Sequence, residues 1–206
     1  MEQYKLPRSA ANAEFIEKKS RFISHIQPVS TEEEALDFLR SIRLKHREAT
    51  HNVYAYRTKY NNITRYSDDG EPSGTAGMPL LEPFLRQDIY DFCCVATRYF
   101  GGILLGAGGL VRAYARCGAL AIETAGIGVM REVTICAMTL PYSHYENLKR
   151  LLSANNAGSI IEDFGAEVKI QFSLPSEELA ELEKKVTELT AGVVRINVEC
   201  TQMALL

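Results

Sequence analysis

The spacing of apolar residues predicts the first elements of the chain. Residues 14–29 have the apolar content of extended structure, with a basic run inside it at Lys18, Lys19 and Arg21. Apolar residues then recur at helical spacing from Ala35 to Ile42, which predicts a helix over 31–46. Ser30-Thr-Glu-Glu33 has the spacing of a capping box at the start of this helix. Residues 51–58 and 63–66 are rich in β-formers and predict a hairpin.

The middle of the chain predicts two helices around a buried strand. Residues 78–85 fit a short helix, and the apolar run at 91–99 fits a strand buried on both faces. This strand runs into a glycine cluster and then into a second helix, which Gly126 is placed to end. An apolar stripe from Leu110 to Ala121 marks the inner face of that helix, and Arg112 and Arg116 share the opposite face.

The pattern changes after residue 128. A strand at 130–140, a helix at 141–154, strands at 159–164 and 167–172, a helix starting at Ser176 and a strand at 194–198 follow one another. The order β-α-β-β-α-β is typical of the ferredoxin-like fold. We therefore expect an α+β protein of two domains, residues 1–128 and 129–206.

Composition narrows the classes of function. The chain has 206 residues and a net charge of −3, so a contact with nucleic acid would need a local basic patch. Its five cysteines, without Cys-x-x-Cys spacing, suit reduced thiols of an intracellular protein. Without a signal sequence or a long apolar segment, we expect a soluble cytoplasmic protein with no membrane partner.

The glycine cluster is the first candidate site. It follows Arg98 and comprises Gly101, Gly102, Gly106, Gly108 and Gly109. A strand that passes through glycines into a helix N-terminus suits phosphate or carboxylate, and Arg98, Arg112 and Arg116 would add positive charge. Ala107 stands where a Walker A loop has its lysine, so the standard nucleotide-binding versions are excluded. The alternative is that the glycines permit tight packing while Arg98 pairs with an upstream carboxylate.

That upstream segment is an acidic loop, with Asp68, Asp69, Glu71 and Thr75 as candidate supporting residues. The carboxylates could hold magnesium, or they could form a turn in which Glu71 is charge-paired and Thr75 caps the short helix. The run at Lys18 and Lys19 similarly fits either an anion contact or a solvated hairpin turn, and we favour the turn. We expect no metal, no cofactor and no catalytic residue.

The motifs resemble the signature of the IMPACT family. They are Tyr54-Ala-Tyr-Arg57, Asp68-Asp-Gly-Glu-Pro72 with Gly74-Thr-Ala-Gly77, Thr97-Arg-Tyr-Phe-Gly-Gly102 and Gly109-Leu-Val-Arg-Ala-Tyr114. Resemblance to the bacterial two-domain members of the YigZ type implies an N-terminal domain with the left-handed βαβ fold of the second domain of ribosomal protein S-five. It also implies a C-terminal ferredoxin-like domain similar to the fifth domain of elongation factor G.

The resemblance implies a role in translation. Eukaryotic members regulate a starvation-responsive kinase by competing for its ribosome-associated activator, but they carry an additional amino-terminal module, so we do not extend that role to this chain. We expect a non-enzymatic protein that binds RNA, the ribosome or a translation-associated protein through the arginines, with the C-terminal sheet as a further possible surface. A nucleotide- or phosphate-dependent enzyme of the S-five-like architecture and a pure protein-interaction module are the alternatives.

Overall fold

A computed structural model describes residues 3–205 and divides them into two compact units, residues 4–129 and 130–205. The division lies one residue from the predicted boundary. No helix within residues 3–205 is long and apolar enough to cross a membrane. The elements of the first unit are β1 (Tyr4–Pro7), β2 (Ala11–Glu17), β3 (Ser20–Pro28), α1 (Glu32–Lys45), β4 (His51–Thr58), β5 (Ile63–Ser67), α2 (Gly77–Arg86), β6 (Phe92–Tyr99) and α3 (Ala107–Ala125).

The sheet of the first unit has the strand order β2-β3-β6-β4-β5, and all its neighbouring strands are antiparallel. Strands β3 and β4 both pair antiparallel with β6, so they run parallel to each other. Because α1 joins them, β3-α1-β4 is a βαβ unit split by β6. Helix α1 packs on one face of the sheet through Ala35, Leu39 and Ile42. Helices α2 and α3 pack on the other face and form the larger core with Phe22 and Val53.

The start of α1 corrects the predicted capping box by one residue. The N-cap is Thr31, whose hydroxyl accepts the N–H of Glu34 at 3.2 Å. The Glu34 carboxylate reaches back to the N–H of Ser30 at 2.6 Å. Ser30 and Thr31 both have side chains that can cap a helix, and each is followed three residues later by a glutamate. Local spacing therefore cannot distinguish the two registers.

Helices α2 and α3 pack closely because Gly118 on α3 has no side chain. A Cβ on Gly118 would overlap the carbonyl oxygen of Leu80, so only glycine lets the two helices approach this closely. The predicted inner stripe is confirmed, since Leu110, Tyr114, Cys117 and Ala121 are all buried. Gly126, with φ of +65°, ends the helix as predicted.

The second unit has the predicted ferredoxin-like order. Its elements are β7 (Ile127–Leu140), α4 (Tyr142–Ala154), β8 (Gly158–Phe164), β9 (Val168–Pro175), a short 3-10 helix (Ser176–Glu178), α5 (Leu179–Thr190) and β10 (Asn197–Leu205). Four strands of this sheet are neighbours in the order β10-β7-β9-β8, and each of these neighbouring pairs is antiparallel. The last strand lies later than predicted, because Val194 is buried in the loop before it and donates its N–H to the hydroxyl of Thr190.

The core beneath α1 ends in a layer of polar side chains. His25 on β3 is 2% exposed, and its Nδ1 lies 2.6 Å from Oδ1 of Asn12. An amide oxygen only accepts hydrogen bonds, so Nδ1 carries the proton of the neutral ring. The ring of His46 lies 4.9 Å away and contacts the Tyr99 hydroxyl through Nδ1 at 3.0 Å. Burial, together with the positive charge of His46 and Lys45, lowers the pKa of His25 to about 4.

We expect this layer to make the fold acid-sensitive. The unfolded chain binds a proton on His25 near pH 6.5, whereas the folded chain binds it only near pH 4, so stability falls as the pH drops through this window. The full shift corresponds to a loss of roughly 3 kcal/mol from the free energy of unfolding, which is complete only below pH 4. About 2 kcal/mol of this loss falls between pH 7 and pH 5, and His46 adds to it because its pKa is also lowered. Urea denaturation at pH 7 and pH 5 measures that part of the loss.

The variant His25→Gln cannot titrate at this position and should lose less stability over the same pH range, whatever its stability at pH 7. An unchanged pH dependence in His25→Gln would contradict the assignment. His144, which lies half-buried on α4 in the other unit, provides the control: His144→Gln should leave the dependence unaltered.

Candidate functional site

The acidic loop between β5 and α2 is held by its own carboxylates. Asp68 accepts the backbone N–H groups of Gly74, Ala76 and Gly77 at 2.8–3.0 Å and so caps the start of α2. Burial alone would raise the pKa of Asp68, but these three donors hold it below its usual value. The predicted cap, Thr75, instead donates its hydroxyl hydrogen to the carbonyl of Pro72.

Asp69 ties the same loop to the sheet. One carboxylate oxygen accepts from the Arg43 guanidinium at 2.7 Å, and the other accepts the N–H of Asn52 at 2.7 Å. The carbonyl of Asp69 lies 2.8 Å from Nδ1 of His51, so that nitrogen carries the proton. Both carboxylates of the Asp-Asp pair are therefore engaged in shaping the loop.

Glu71 and Arg98 form a buried ion pair beneath the loop. Their side chains are 3% and 6% exposed, and Arg98 Nη1 lies 2.7 Å from Oε1 of Glu71. The same oxygen accepts the hydroxyl hydrogen of Tyr114 on α3 at 2.6 Å. Burial, and then the bond to Glu71, raise the pKa of this hydroxyl far above its usual value. The pairing of Arg98 with an upstream carboxylate is the alternative that the sequence left open, and these contacts favour it over anion binding.

Ser20 extends this network to the glycine cluster. Its hydroxyl accepts from Arg98 Nη2 at 3.4 Å and from the N–H of Gly101 at 3.2 Å. Gly101 itself lies flat against the hairpin between β2 and β3, where a Cβ would overlap the backbone of Lys19 and Ser20. The close approach of two backbones explains why this position needs glycine.

The remaining cluster glycines surround the start of α3. Gly102 and Gly106 have positive φ values of 80° and 73°, which glycine adopts without strain. A Cβ on Gly109 would lie 2.9 Å from Cβ of Leu105, and one on Gly108 would lie 3.6 Å from Nη1 of Arg112. The structure therefore gives these glycines turn-forming and packing roles, and it leaves the first turn of α3 bare beside Arg112.

A basic cavity of about 240 Å³ opens beside this turn. Its apolar wall consists of Phe15, Leu105 and Ala113. Glu17, Lys18, Gly109, Arg112 and Arg116 complete the lining. The Arg116 guanidinium carbon lies 4.3 Å from the centre of the Phe15 ring, a cation–π arrangement that holds the arginine against the wall. Among residues 3–205, Lys18, Arg112 and Arg116 form no ion pair with a carboxylate.

Lys18 and Lys19 form the two-residue turn of the β2–β3 hairpin, as predicted. Both have positive φ, 44° and 65°, the combination that a type I′ turn requires. Asn-Gly is the favoured pair there, and a lysine in the left-handed region is strained. Lys18 thus belongs both to the turn and to the lining of the cavity.

The structure divides the expected site residues into two groups. Arg112 and Arg116 meet at the cavity, with Gly108 and Gly109 under them, whereas Arg98 lies in the core with the acidic loop. The sequence offers Lys18 as an anion contact or as part of a hairpin turn, but it does not place this lysine beside Arg112 and Arg116. The close approach of the Gly101 backbone to the lysine turn brings them together. Among the described residues, no three histidine, cysteine, aspartate or glutamate side chains are grouped to hold a metal ion.

Removing one partner of the buried ion pair should destabilise the protein strongly. Glu71→Gln leaves the Arg98 charge buried without its carboxylate, and we expect a loss of about 3–5 kcal/mol from the free energy of unfolding. The double variant Glu71→Gln/Arg98→Met should lose less than the sum of the single variants, because it leaves no unpaired charge. Urea denaturation of all three provides the measurement.

The exposed pair of Glu14 and Arg21, with a distance of 2.6 Å between charged atoms, serves as the control. Glu14→Gln should change stability by less than about 1 kcal/mol. If Glu71→Gln were no more damaging than Glu14→Gln, the Glu71–Arg98 pair would not be the structural tie described above.

Comparisons with known proteins agree with this architecture. Residues 18–122 match the Impact N-terminal domain, and residues 138–193 match a domain of unknown function (DUF1949). The chain is 36% identical to the IMPACT family member YvyE of Bacillus subtilis, over 93% of this chain and 89% of that protein. It is 30% identical to the IMPACT family member YigZ of Escherichia coli, over 95% and 98%.

A solved structure described as that of a hypothetical protein matches 97% of this chain and 98% of its own, at 30% identity and a TM-score of 0.61. The chain is also 43% identical to the Protein IMPACT homolog of Dictyostelium discoideum, over 44% of this chain and 27% of that protein. The family model covers the residues of both the buried ion pair and the basic cavity from Lys18 onward. The chain is a two-domain member of the IMPACT family.

Proposed function

We propose that this protein is a non-enzymatic, translation-associated protein that contacts RNA or the ribosome through the basic cavity of its N-terminal domain. The observation that carries the proposal is the convergence of Lys18, Arg112 and Arg116 on one cavity, unpaired with any carboxylate among the described residues. Arginines with free guanidinium edges bind phosphate oxygens through paired hydrogen bonds. On a chain of net charge −3, this patch is the local basic surface that a nucleic-acid contact requires.

The family relationship supports translation as the setting. The resemblance to ribosomal protein S-five and to elongation factor G points to translation for both domains. The sheet of the C-terminal domain is a weaker candidate surface. Its face opposite the helices carries Asp163, Glu199 and Lys169, so acidic and basic charges are mixed there.

The contacts of the acidic loop disfavour the enzyme alternative. A nucleotide-dependent enzyme would use Asp68, Asp69 or Glu71 as a metal ligand or base. Asp68 accepts hydrogen bonds from backbone N–H groups. Asp69 is bound by Arg43 and Asn52, and Glu71 is bound by Arg98 and Tyr114. Freeing any of them for chemistry would first break an interaction on which the fold depends.

One observation favours a protein partner as the second candidate. The loop between β6 and α3 exposes three large apolar side chains, with Leu104 81% exposed and Phe100 and Ile103 above 40%. Exposed apolar groups that lie close together mark interaction surfaces. Association through this loop would depend little on salt and would survive removal of the arginine charges.

Ribosome co-sedimentation at low and moderate salt tests the proposal. The wild-type protein should co-sediment at low salt and be released as salt rises, since each phosphate contact contributes a slope of about −0.7 to −0.9 in log affinity against log salt. The variant Arg112→Gln/Arg116→Gln should bind at least about tenfold more weakly and reduce that slope by about 2.

The matched control is Arg47→Gln/Arg195→Gln, which removes two exposed arginine charges that do not line the cavity. If both double variants lost the same ribosome affinity, the loss would be due to the change in net charge and not to the cavity. Absence of the wild-type protein from the ribosome fraction at both salts would overturn the proposal. Binding that is insensitive to salt and to both double variants would favour the protein-interaction candidate.

The lysine turn allows binding and stability to be separated. Lys18→Asn/Lys19→Gly gives the turn its favoured residues and should stabilise the protein by about 1 kcal/mol. The same change removes the Lys18 charge from the cavity, so RNA binding at low salt should weaken. Thermal denaturation and filter binding measure the two effects. A more stable protein with unaltered RNA affinity would exclude Lys18 from the binding surface.

A further inference from the structure

We propose that the basic cavity binds a terminal phosphate monoester, presented by the end of an RNA strand or by a free mononucleotide. The inference rests on the proposed function for its location and goes beyond it in naming the chemical group. It depends on the charge of the cavity, on its size and on the direction from which a ligand can enter.

The charge of the lining matches a monoester better than a phosphodiester. Lys18, Arg112 and Arg116 contribute three positive charges, and Glu17 offsets one of them. A phosphate monoester carries about −1.5 to −2 charges at pH 7, whereas each phosphodiester of an RNA strand carries about −1. The net positive charge of the lining therefore complements one terminal phosphate.

The size of the cavity points in the same direction. Sites that hold drug-sized ligands have volumes of roughly 300–1,000 Å³, and this one has about 240 Å³. It can enclose a phosphate and part of its sugar, but not a run of nucleotides. The lining comes from the end of β2, the lysine turn, Leu105 and the first turns of α3, so the cations surround a recess. A strand that is read along its backbone needs cations along a groove, whereas a strand end can enter a recess.

The apolar wall fixes the arginine that would face the phosphate. Phe15 stacks on the buried Phe22 ring with centres 5.2 Å apart and planes 7° apart. The Arg116 guanidinium carbon lies 4.3 Å from the centre of the Phe15 ring. A guanidinium that packs on an aromatic ring keeps its N–H edges available, and less side-chain entropy is lost when those edges bind an anion.

One glycine shapes the apolar wall beside the other arginine. Gly109 forms part of the cavity lining, and a Cβ there would lie 2.9 Å from Cβ of Leu105 on that wall. A Cβ on Gly108 would lie 3.6 Å from Nη1 of Arg112, an ordinary van der Waals distance. The shape of the recess thus depends on Gly109, which the turn itself does not need for a positive φ.

The test compares one short single-stranded RNA with a 5′-phosphate, with a 3′-phosphate and with hydroxyl groups at both ends. Fluorescence anisotropy at low salt measures the affinity of the full chain for each RNA. At least one phosphorylated end should raise affinity about tenfold over the hydroxyl form, because the end phosphate adds charge-assisted hydrogen bonds. AMP should compete with that RNA, and adenosine should not.

Variants locate the effect. Arg116→Gln should abolish the preference for the phosphorylated end, whereas Arg47→Gln should retain it. Arg116 is exposed, so the variant should fold, and its melting temperature verifies this.

The outcomes separate this inference from the proposed function. RNA binding with equal affinity for all ends and no competition by AMP would overturn the monoester site and leave the RNA proposal standing. AMP binding without RNA binding would overturn the RNA proposal and identify the mononucleotide as the source of the phosphate. Absence of both would overturn the two together.

Discussion

The N-terminal domain depends on one buried charge pair, between Glu71 and Arg98. Burying two charges is unfavourable unless each is paired and hydrogen-bonded, and here Tyr114 and Ser20 supply the further bonds. Through these four residues the pair joins the acidic loop, the end of β6, helix α3 and the start of β3. Three of the family motifs supply Glu71, Arg98 and Tyr114 to this network. These motif residues therefore hold the domain together, and the basic cavity lies beside the network.

The glycine cluster likewise reflects how the domain is packed. A run of glycines between a strand and a helix suggests a phosphate loop, but Gly101 is required by backbone contact with the lysine turn, and Gly106 by its positive φ. The contact at Gly101 is nevertheless what creates the basic cavity, because it brings Lys18 to the side of α3 that carries Arg112 and Arg116. Gly101 thus links the packing of the domain to the geometry of the cavity.

Much of the fold could be predicted because its helices and strands follow simple periodicities. Residues 51–58 are rich in β-formers and form β4, and the stripe from Leu110 to Ala121 lies on the inner face of α3. The errors have local physical causes. The sequence predicts Ser30 as the cap of α1 where Thr31 is the cap, since both side chains can cap a helix. It predicts a strand at Val194 because a buried loop residue is as apolar as a strand residue. The cavity could not be found from the sequence, since Lys18 and Arg112 meet only through the long-range contact at Gly101.

The hairpin of β2 and β3 makes the cavity separable from the rest of the domain. Strand β2 lies at the edge of the sheet, and Phe15 and Glu17 share its inner face. Side chains alternate along a strand, so one residue inserted or deleted between Glu17 and Ser20 would turn that face outward. The apolar wall and the lysine would then be lost together, while β3, β6 and β4 kept their pairing. A single change in hairpin length is therefore a short route by which a relative could keep the fold and lose the ligand.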